Sequence, residues 1–425
     1  VIEGLIASTD GPRVAVTTDP NGVWIYVDPE GFELPQRGWK LHVSAIPSSA
    51  EEVIRSVFPV LHREGIAFKL AADERHLYEL NQGAGGRLQV GKFITVYPKD
   101  DSQATRIARA LDEATRGLRG PRIPRDLPIS PTGLVHYRFG DFVQDEASED
   151  RSASAERPSD PFVEAGIVAP SQQRLVADRY LITSTLHRSI RGAIHLAVEV
   201  TGARTCILKR AWRDACAMPD GRDARDRLRE EADLMKRLGP DVHLPEMWDV
   251  VEHEQDLFMV MEYLSGPTLA ARVHQGDDGG RALPLEEVIH LGRELSEALE
   301  RIHEVGYVHR DLSPANAILR NDGHVALVDF ELALPIGARN EEFAAGTPGY
   351  MSPEQAAAAP ASIADDVYGL GALLHLAATG TDPEPGKLAL SEVPSELAGV
   401  IARALEEDPS ARWDSMSSLR NALDQ

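Results

Sequence analysis

The sequence predicts an α+β chain: a mixed front domain, an acidic polar linker and a larger domain in two parts. Three observations lead to this. Residues from about 10 to 142 alternate short apolar strands with helical stretches. Large apolar residues then vanish between Asp145 and Asp160, as in a solvated linker. From about 176 the pattern changes, with strands dominating to about 210 and helices after about 285. The expected boundaries are 1–142, 143–175 and 176–425, the last dividing into a small part 176–264 and a large part 265–425. In the front domain, Trp24–Val27, Trp39–Ser44, Ile66–Leu70 and Gly91–Tyr97 read as strands, and Ala50–Gly65 and Ser102–Arg116 as helices. That order suits either an α+β or an α/β layout.

The bulk numbers exclude several classes. The 425 residues carry 44 basic and 67 acidic side chains, a net charge of -23. This argues against general nucleic-acid binding, which relies on clustered positive charge. Two cysteines, Cys206 and Cys216, form no disulfide framework and suit a reducing compartment. No apolar run approaches the roughly 20 residues of a membrane span. The start, Val1-Ile2-Glu3-Gly4, lacks a secretory pattern, and its missing initiator Met points to a processed or trimmed chain. The expectation is a cytoplasmic protein with no nucleic-acid or membrane partner.

The most informative stretch is Tyr307-Val-His-Arg-Asp311-Leu-Ser-Pro-Ala-Asn316-Ala-Ile-Leu319, followed by Val328-Asp329-Phe330-Glu331. Phosphoryl transfer needs an Asp to orient the attacking hydroxyl, and an Asn and a second Asp to hold magnesium. In this order the residues read as a kinase catalytic loop with its metal-binding aspartate. Asp311 would be the orienting residue, Asn316 and Asp329 the Mg2+ ligands, and ATP or GTP the phosphoryl donor. Lys209, in Cys206-Ile-Leu-Lys209, would hold the α/β-phosphates. A buried lysine needs a partner, and Glu231 fits, with Glu230 as its neighbouring alternative. Phe258–Leu264 resembles the strand and hinge where a purine ring lies, so Met261, Glu262 and Leu264 become nucleotide contacts. Gly346–Glu354 resembles the end of an activation segment. Asp366 and Arg412 match structural residues of a kinase large lobe, with Glu354 and Arg412 as an ion pair.

Three departures stand out. The phosphate-covering loop Leu186–Ala193 has a single glycine, Gly192, where backbone N–H groups must approach phosphates; Arg188 or Arg191 would supply contacts instead. Ser313 stands where protein kinases usually carry a lysine, and Glu331 replaces the glycine after Asp329-Phe330. These departures alone would suit a pseudokinase. From Leu332 to Gly346 there is no Ser, Thr or Tyr, so Glu341 or Glu342 is expected to give Arg310 the negative charge that a phosphorylated residue usually provides.

In the front domain, side chains alternate faces along each strand. Lys40 and His42 therefore share one face, opposite Trp39, Leu41 and Val43. Lys69 likewise points away from Ile66, Phe68 and Leu70. Pattern alone fits ordinary solvent-facing polar residues.

Resemblance raises a second activity. Arg37–Ala45, Gly91–Pro98 and Val135–Phe142, together with the variants Asp311-Leu-Ser-Pro314 and Asp329-Phe-Glu331, resemble class III lanthipeptide synthetases; class IV enzymes have a similar front. The resemblance covers the chain from about residue 20. It implies a phosphothreonine-lyase-like α/β domain followed by a two-lobed kinase-like domain. Lys69 is then the general base, His42 the general acid, and Lys40 a stabiliser of enolate-like charge. Arg87, Tyr97 and Arg138 form the phosphate pocket, with Lys92 as a substitute for Arg87. Together they make a dehydratase of a ribosomal precursor peptide carrying a leader. The family's zinc cyclase needs Cys and His ligands, and the chain has no Cys beyond Cys216; that part is expected on a separate chain or removed. The rival readings are a regulatory Ser/Thr kinase with an N-terminal sensor or binding domain, and a non-enzymatic pseudokinase scaffold.

Overall fold

A computed structural model describes residues 2–142, 159–167, 174–274, 280–339, 346–384 and 388–425. Most of the span read as linker, and Glu341 and Glu342, lie outside the described residues. The chain divides into two compact units. The first is Val1–Leu228 with Val250–Met259, the second Arg229–Asp249 with Val260–Gln425.

The first unit opens with helix α1 (Ile2–Ser8) and strands β1 (Val14–Thr18), β2 (Trp24–Pro29) and β3 (Arg37–Val43). Helix α2 (Ala50–Arg63), β4 (Ala67–Ala71), α3 (Glu74–Asn81), β5 (Ile94–Tyr97), α4 (Asp101–Ala114), β6 (Leu127–Pro128) and β7 (Val135–Asp141) follow. Among the described residues the seven strands run in the order β1-β2-β4-β5-β3-β7-β6. Every pairing is antiparallel, so the layout is α+β; parallel strands would need crossover helices between them. One face is apolar. Trp39, Leu41 and Val43 of β3, Phe68 and Leu70 of β4, and Ile94 and Val96 of β5 all lie in one core. Val53, Val57, Phe58 and Leu61 of α2, and Ile107 and Leu111 of α4, join that core. Helix caps fix where α3 and α4 begin: Asp73 and Asp100 accept N–H bonds from His76 and Gln103.

Two segments differ from the sequence reading. Residues 160–167, placed in the linker, include helix α5 (Pro161–Glu164). Phe162 is fully buried and stacks on Tyr137 at 4.0 Å, and Ile167 joins the same core. Two apolar anchors, with Asp160 capping the helix, were enough to fold a segment whose surroundings are polar. The strand read as Gly91–Tyr97 begins only at Ile94, because residues 83–92 make successive turns. Gly91 has φ +78°, and a Cβ there would lie 3.2 Å from the Arg122 carbonyl oxygen, so this turn needs glycine.

Strands β8 (Leu175–Val176), β9 (Tyr180–Arg188), β10 (Gly192–Glu199) and β11 (Arg204–Ala211) continue the first unit. A second sheet has the order β12-β13-β11-β10-β9-β8, with β12 at Met247–His253 and β13 at Asp256–Glu262. Helix α6 spans Ala224–Leu238. Within this unit the front domain is tied to the loop after β11. Arg119 Nε donates to Asp214 Oδ1 at 2.8 Å, and the Gly120 N–H donates to Asp214 Oδ2 at 3.2 Å. The Cys216 thiol donates to the Asn81 carbonyl at 3.8 Å.

The second unit is mainly helical. It contains α7 (Leu269–Val273), α8 (Leu285–Glu304), short strands β14 (Tyr307–Val308), β15 (Ala317–Leu319), β16 (Val325–Leu327) and β17 (Leu334–Pro335), then α9 (Pro353–Ala356), α10 (Ile363–Thr379), α11 (Ser395–Ala404) and α12 (Met416–Leu423). Helix α10 is buried almost all round, from Asp365 to Ala377, as expected of a core helix. No described helix is long and apolar enough to cross a membrane.

Candidate active sites

The register of the seven-stranded sheet determines which polar side chains meet. Directly opposed residues point to the same face. Lys69 of β4 opposes Thr95 of β5, Thr95 opposes His42 of β3, and His42 opposes His136 of β7. Two strand spacings of roughly 4.8 Å thus separate Lys69 from His42. In the adjacent row on this face, Lys40 opposes Arg138. Tyr97 follows Val96, which opposes Leu41, so Tyr97 extends the row of Lys40. The sequence alternation of β3 and β4 thus becomes one cationic face opposite the core.

That face is not open to solvent. Lys40, His42 and Lys92 are 7%, 2% and 4% exposed. Lys69 Nζ sits 4.0 Å from the Trp24 ring centroid, and Lys40 Nζ 5.8 Å from that of Phe142, so aromatic faces cover both ammonium groups. Burial lowers the Lys69 pKa to about 8, although Asp19 pulls it upward. Burial, reinforced by Arg138 and Lys69, lowers Lys40 to about 8. Lys92 is also lowered to about 8 by burial, opposed by Asp126 and reinforced by Arg138, Lys40 and Lys69. Burial pushes the Tyr97 hydroxyl up, so it stays protonated. Burial is the largest cause of each of these shifts, and neighbouring cations add to it at Lys40 and Lys92.

Sequence reasoning missed Asp126. Its Oδ2 accepts a hydrogen bond from His42 Nδ1 at 2.5 Å, and its Oδ1 lies 3.7 Å from Arg138 Nε. Burial alone would raise the Asp126 pKa, but His42, Lys92 and Arg138 together hold it below the usual carboxylate range. Asp126 is therefore ionised. Burial, helped by Lys92 and Arg138 against the pull of Asp126, lowers His42 to about 3. The neutral ring gives its Nδ1–H to Asp126 and leaves Nε2 free to take a proton. Arg87 lies in the exposed stretch 84–87, whereas Lys92 is buried inside the cationic cluster. Behind Asp126 opens a cavity of about 190 Å³, lined among others by Arg122, Arg125, His136 and Arg188.

Lys209 lies on β11, opposite Ile194 of β10. The loop between β9 and β10 is a tight hairpin. Ser189 Oγ accepts the N–H groups of Arg191 and Gly192, at 3.1 and 3.2 Å. A Cβ on Gly192 would collide with the Arg210 carbonyl oxygen at 1.8 Å, so the loop's single glycine serves strand packing.

In the second unit, Asp311 is held from two sides. Asn316 Nδ2 donates to its Oδ2 at 3.0 Å and Thr347 Oγ1 to its Oδ1 at 2.9 Å. With its amide nitrogen engaged, Asn316 keeps Oδ1 as a ligand atom. Asp329 has φ +66° and follows Val328, whose N–H bonds the Asn316 carbonyl at 2.9 Å. The oxygen donors of Asn316 and Asp329 suit Mg2+. Fully buried Asp366 accepts His309 N at 2.9 Å, Arg310 N at 2.8 Å and His303 Nε2 at 2.8 Å, which fixes the loop backbone. Glu231 accepts the Phe330 N–H at 3.3 Å. Glu354 and Arg412 form the bidentate pair read from the sequence, at 2.5 and 2.9 Å. Met261 and Leu264 are buried, Glu262 is half-buried, and Ser313 is 4% exposed. Arg310 Nε lies 3.6 Å from Asp365 Oδ2, with both side chains buried.

Residues 7–165 match the family described as RamC, N-terminal domain, and residues 192–423 match the protein kinase domain. The Probable SapB synthase of Streptomyces coelicolor is 31% identical over 368 residues, 78% of this chain and 39% of that protein. Serine/threonine-protein kinase C of Synechocystis sp. is 31% identical over 275 residues, 59% of this chain and 50% of that protein. Serine/threonine-protein kinase PknL of Mycobacterium tuberculosis is 30% identical over 251 residues, 57% of this chain and 60% of that protein. The chain thus spans 39% to 60% of the length of these relatives.

Proposed function

The chain belongs to the protein kinase family and carries a RamC-type N-terminal domain ahead of its kinase domain; from this we propose that it is a two-site dehydratase of a ribosomal precursor peptide. The kinase phosphorylates Ser and Thr, and the front domain, residues 1–142 with α5, removes the phosphate to leave dehydroalanine or dehydrobutyrine. The observation that carries this reading is the row Lys69–Thr95–His42, buried at Thr95 and His42 and half-buried at Lys69, with Lys40 and Arg138 beside it. A structural surface would not crowd cations in this way, because each buried charge costs free energy unless something compensates it. An incoming phosphate dianion would do so.

The elimination balances without a further reactant. Neutral Lys69 Nζ removes the Cα proton. The released electron pair forms the Cα=Cβ bond, and the Cβ–O bond breaks. His42 Nε2–H gives its proton to the departing phosphate oxygen, and Asp126 stabilises the imidazolium through Nδ1. His42 is neutral in the free protein, so it takes up its proton as the dianion binds. A lysine lowered to about 8 is neutral in roughly a tenth of molecules at pH 7, enough for a general base. Lys40, Lys92, Tyr97 and Arg138 hold the phosphate, and Lys40 also steadies enolate charge. Arg87 receives no part in the pocket.

In the kinase site, Asp311 orients the substrate hydroxyl, while Asn316 and Asp329 would hold magnesium. Lys209 would grip the donor phosphates, and Met261, Glu262 and Leu264 would line the base of ATP or GTP. Magnesium, when bound, neutralises charge on the transferred phosphoryl group. Similarity to Ser/Thr protein kinases favours a second reading, a regulatory kinase with a binding domain in front. Mass spectrometry separates the two after incubation with precursor peptide and Mg-NTP. The dehydratase removes one water mass per site; a gain of phosphate alone supports the regulatory kinase.

A further inference from the structure

The second unit holds a group of metal-ligating side chains that neither reaction uses. His243 follows α6, Glu294 lies on α8, and His324 lies in the turn before β16. One atom of each lies within 4.8 Å of the others. Asp241 Oδ1 accepts both the His243 backbone N–H at 2.8 Å and His243 Nδ1 at 2.9 Å. Arg301 Nε, at 3.1 Å from Oδ2, anchors that carboxylate. With its proton on Nδ1, His243 presents the bare lone pair of Nε2 to Glu294 Oε2 at 3.4 Å and Glu297 Oε2 at 3.7 Å. Nε2 is buried without a hydrogen-bond partner, and His243 is 7% exposed. From the other side, His324 Nδ1 lies 3.0 Å from the same Glu294 oxygen.

An imidazole nitrogen aimed at two carboxylates needs a proton or a metal cation between them, and a metal would also engage the second imidazole, His324. We propose that His243 Nε2, Glu294 and His324 Nδ1 bind a divalent zinc ion, with Glu297 as the fourth ligand. Two imidazoles and carboxylate oxygen favour zinc over magnesium or calcium. Tetrahedral zinc with bonds of about 2 Å places its ligand atoms roughly 3.3 Å apart, close to the 3.0 and 3.4 Å separations here. The Asp241–His243 contact is the carboxylate–histidine arrangement that orients zinc-bound imidazoles. The ion would clamp the segment before β12, helix α8 and the turn before β16 to one another.

The test uses the full chain, stripped with a chelator, dialysed and titrated with zinc chloride. Calorimetry and metal analysis should give one zinc per chain, and the melting temperature should rise with zinc. His324→Gln, at a side chain 44% exposed and so tolerant of change, and Glu294→Gln should each weaken zinc binding at least tenfold. Circular dichroism checks that both variants are folded. Absence of zinc binding, or unchanged affinity in either folded variant, overturns the proposal.

Discussion

Asp126 Oδ2 lies 2.5 Å from His42 Nδ1, with the two side chains 0% and 2% exposed. This contact fixes which ring nitrogen faces the cationic pocket. Asp126→Asn would offer an amide that can donate to the same nitrogen and favour the wrong tautomer. Elimination from a synthetic phosphopeptide should fall about 10²- to 10⁴-fold in kcat, with KM changed far less. Equal loss in KM and kcat would point to a binding role for Asp126. Phosphate release is the measurement.

The two reactions should separate by mutation. Lys69→Ala removes the base and should let phosphorylated peptide accumulate. Ordinary dehydrated product from that variant would remove Lys69 from the mechanism. Asp329→Ala should stop phosphorylation yet leave elimination from a ready-made phosphopeptide intact. Loss of both activities would contradict two independent sites.

The buried lysines weaken the fold on which they depend. Lys92 is charged below about pH 8 in the folded chain and below about 10.4 when unfolded. The unfolded state therefore binds more protons between these values, so this group makes stability rise with pH there and lowers it fully below about 8. Lys92→Met should stabilise the protein at neutral pH by about 1–3 kcal/mol. That advantage should shrink as pH rises from about 8 to about 10.5. Denaturant melts of both forms across this range test it, and a pH-independent difference would show that the charge is already compensated.

Arg310 has a carboxylate partner among the described residues. Asp365 Oδ2 lies 3.6 Å from its Nε, and Ser352 Oγ, at 2.7 Å, and Ser362 N, at 3.1 Å, hold that carboxylate in place. The negative charge expected from Glu341 or Glu342 is thus available on α10. Asp365→Asn would take from this buried guanidinium the carboxylate that faces it among the described residues, at about 3–5 kcal/mol, and should reduce phosphorylation sharply. The Glu341→Ala, Glu342→Ala double variant should retain it. The opposite pattern in a peptide phosphorylation assay would return the role to the activation segment.

How much of this could be read from the sequence depended on range. The alternation in Trp39-Lys40-Leu41-His42-Val43 and in Ile66–Leu70 placed Lys40, His42 and Lys69 away from the core without knowledge of any neighbour. The Glu354–Arg412 pair was also legible, because each member lies within a recognisable motif. Asp126 was not. It sits 84 residues from His42, in Pro121-Arg-Ile-Pro-Arg-Asp126-Leu-Pro, where prolines erase periodicity. Only its position as a lone acid among arginines could have drawn notice. Lys92 was read as lying on a strand; it sits on a turn and is buried by tertiary packing. The Phe162 and Ile167 anchors were hidden because two large apolar residues in a polar segment look like exceptions until the groove that receives them is known.

The bond from Arg119 to Asp214 has a practical meaning for anyone dissecting the protein. Expressing the kinase part alone, cut at the acidic stretch, would strip a guanidinium from a carboxylate that is 1% exposed, with Asp223 next to it at 0%. Asp214 would keep Arg213 at 3.3 Å and Asp223 would keep Arg225 at 2.7 Å, so such a fragment should fold but be less stable than the intact chain. Recombinant halves are better tested as a co-expressed, nicked pair than as separate pieces.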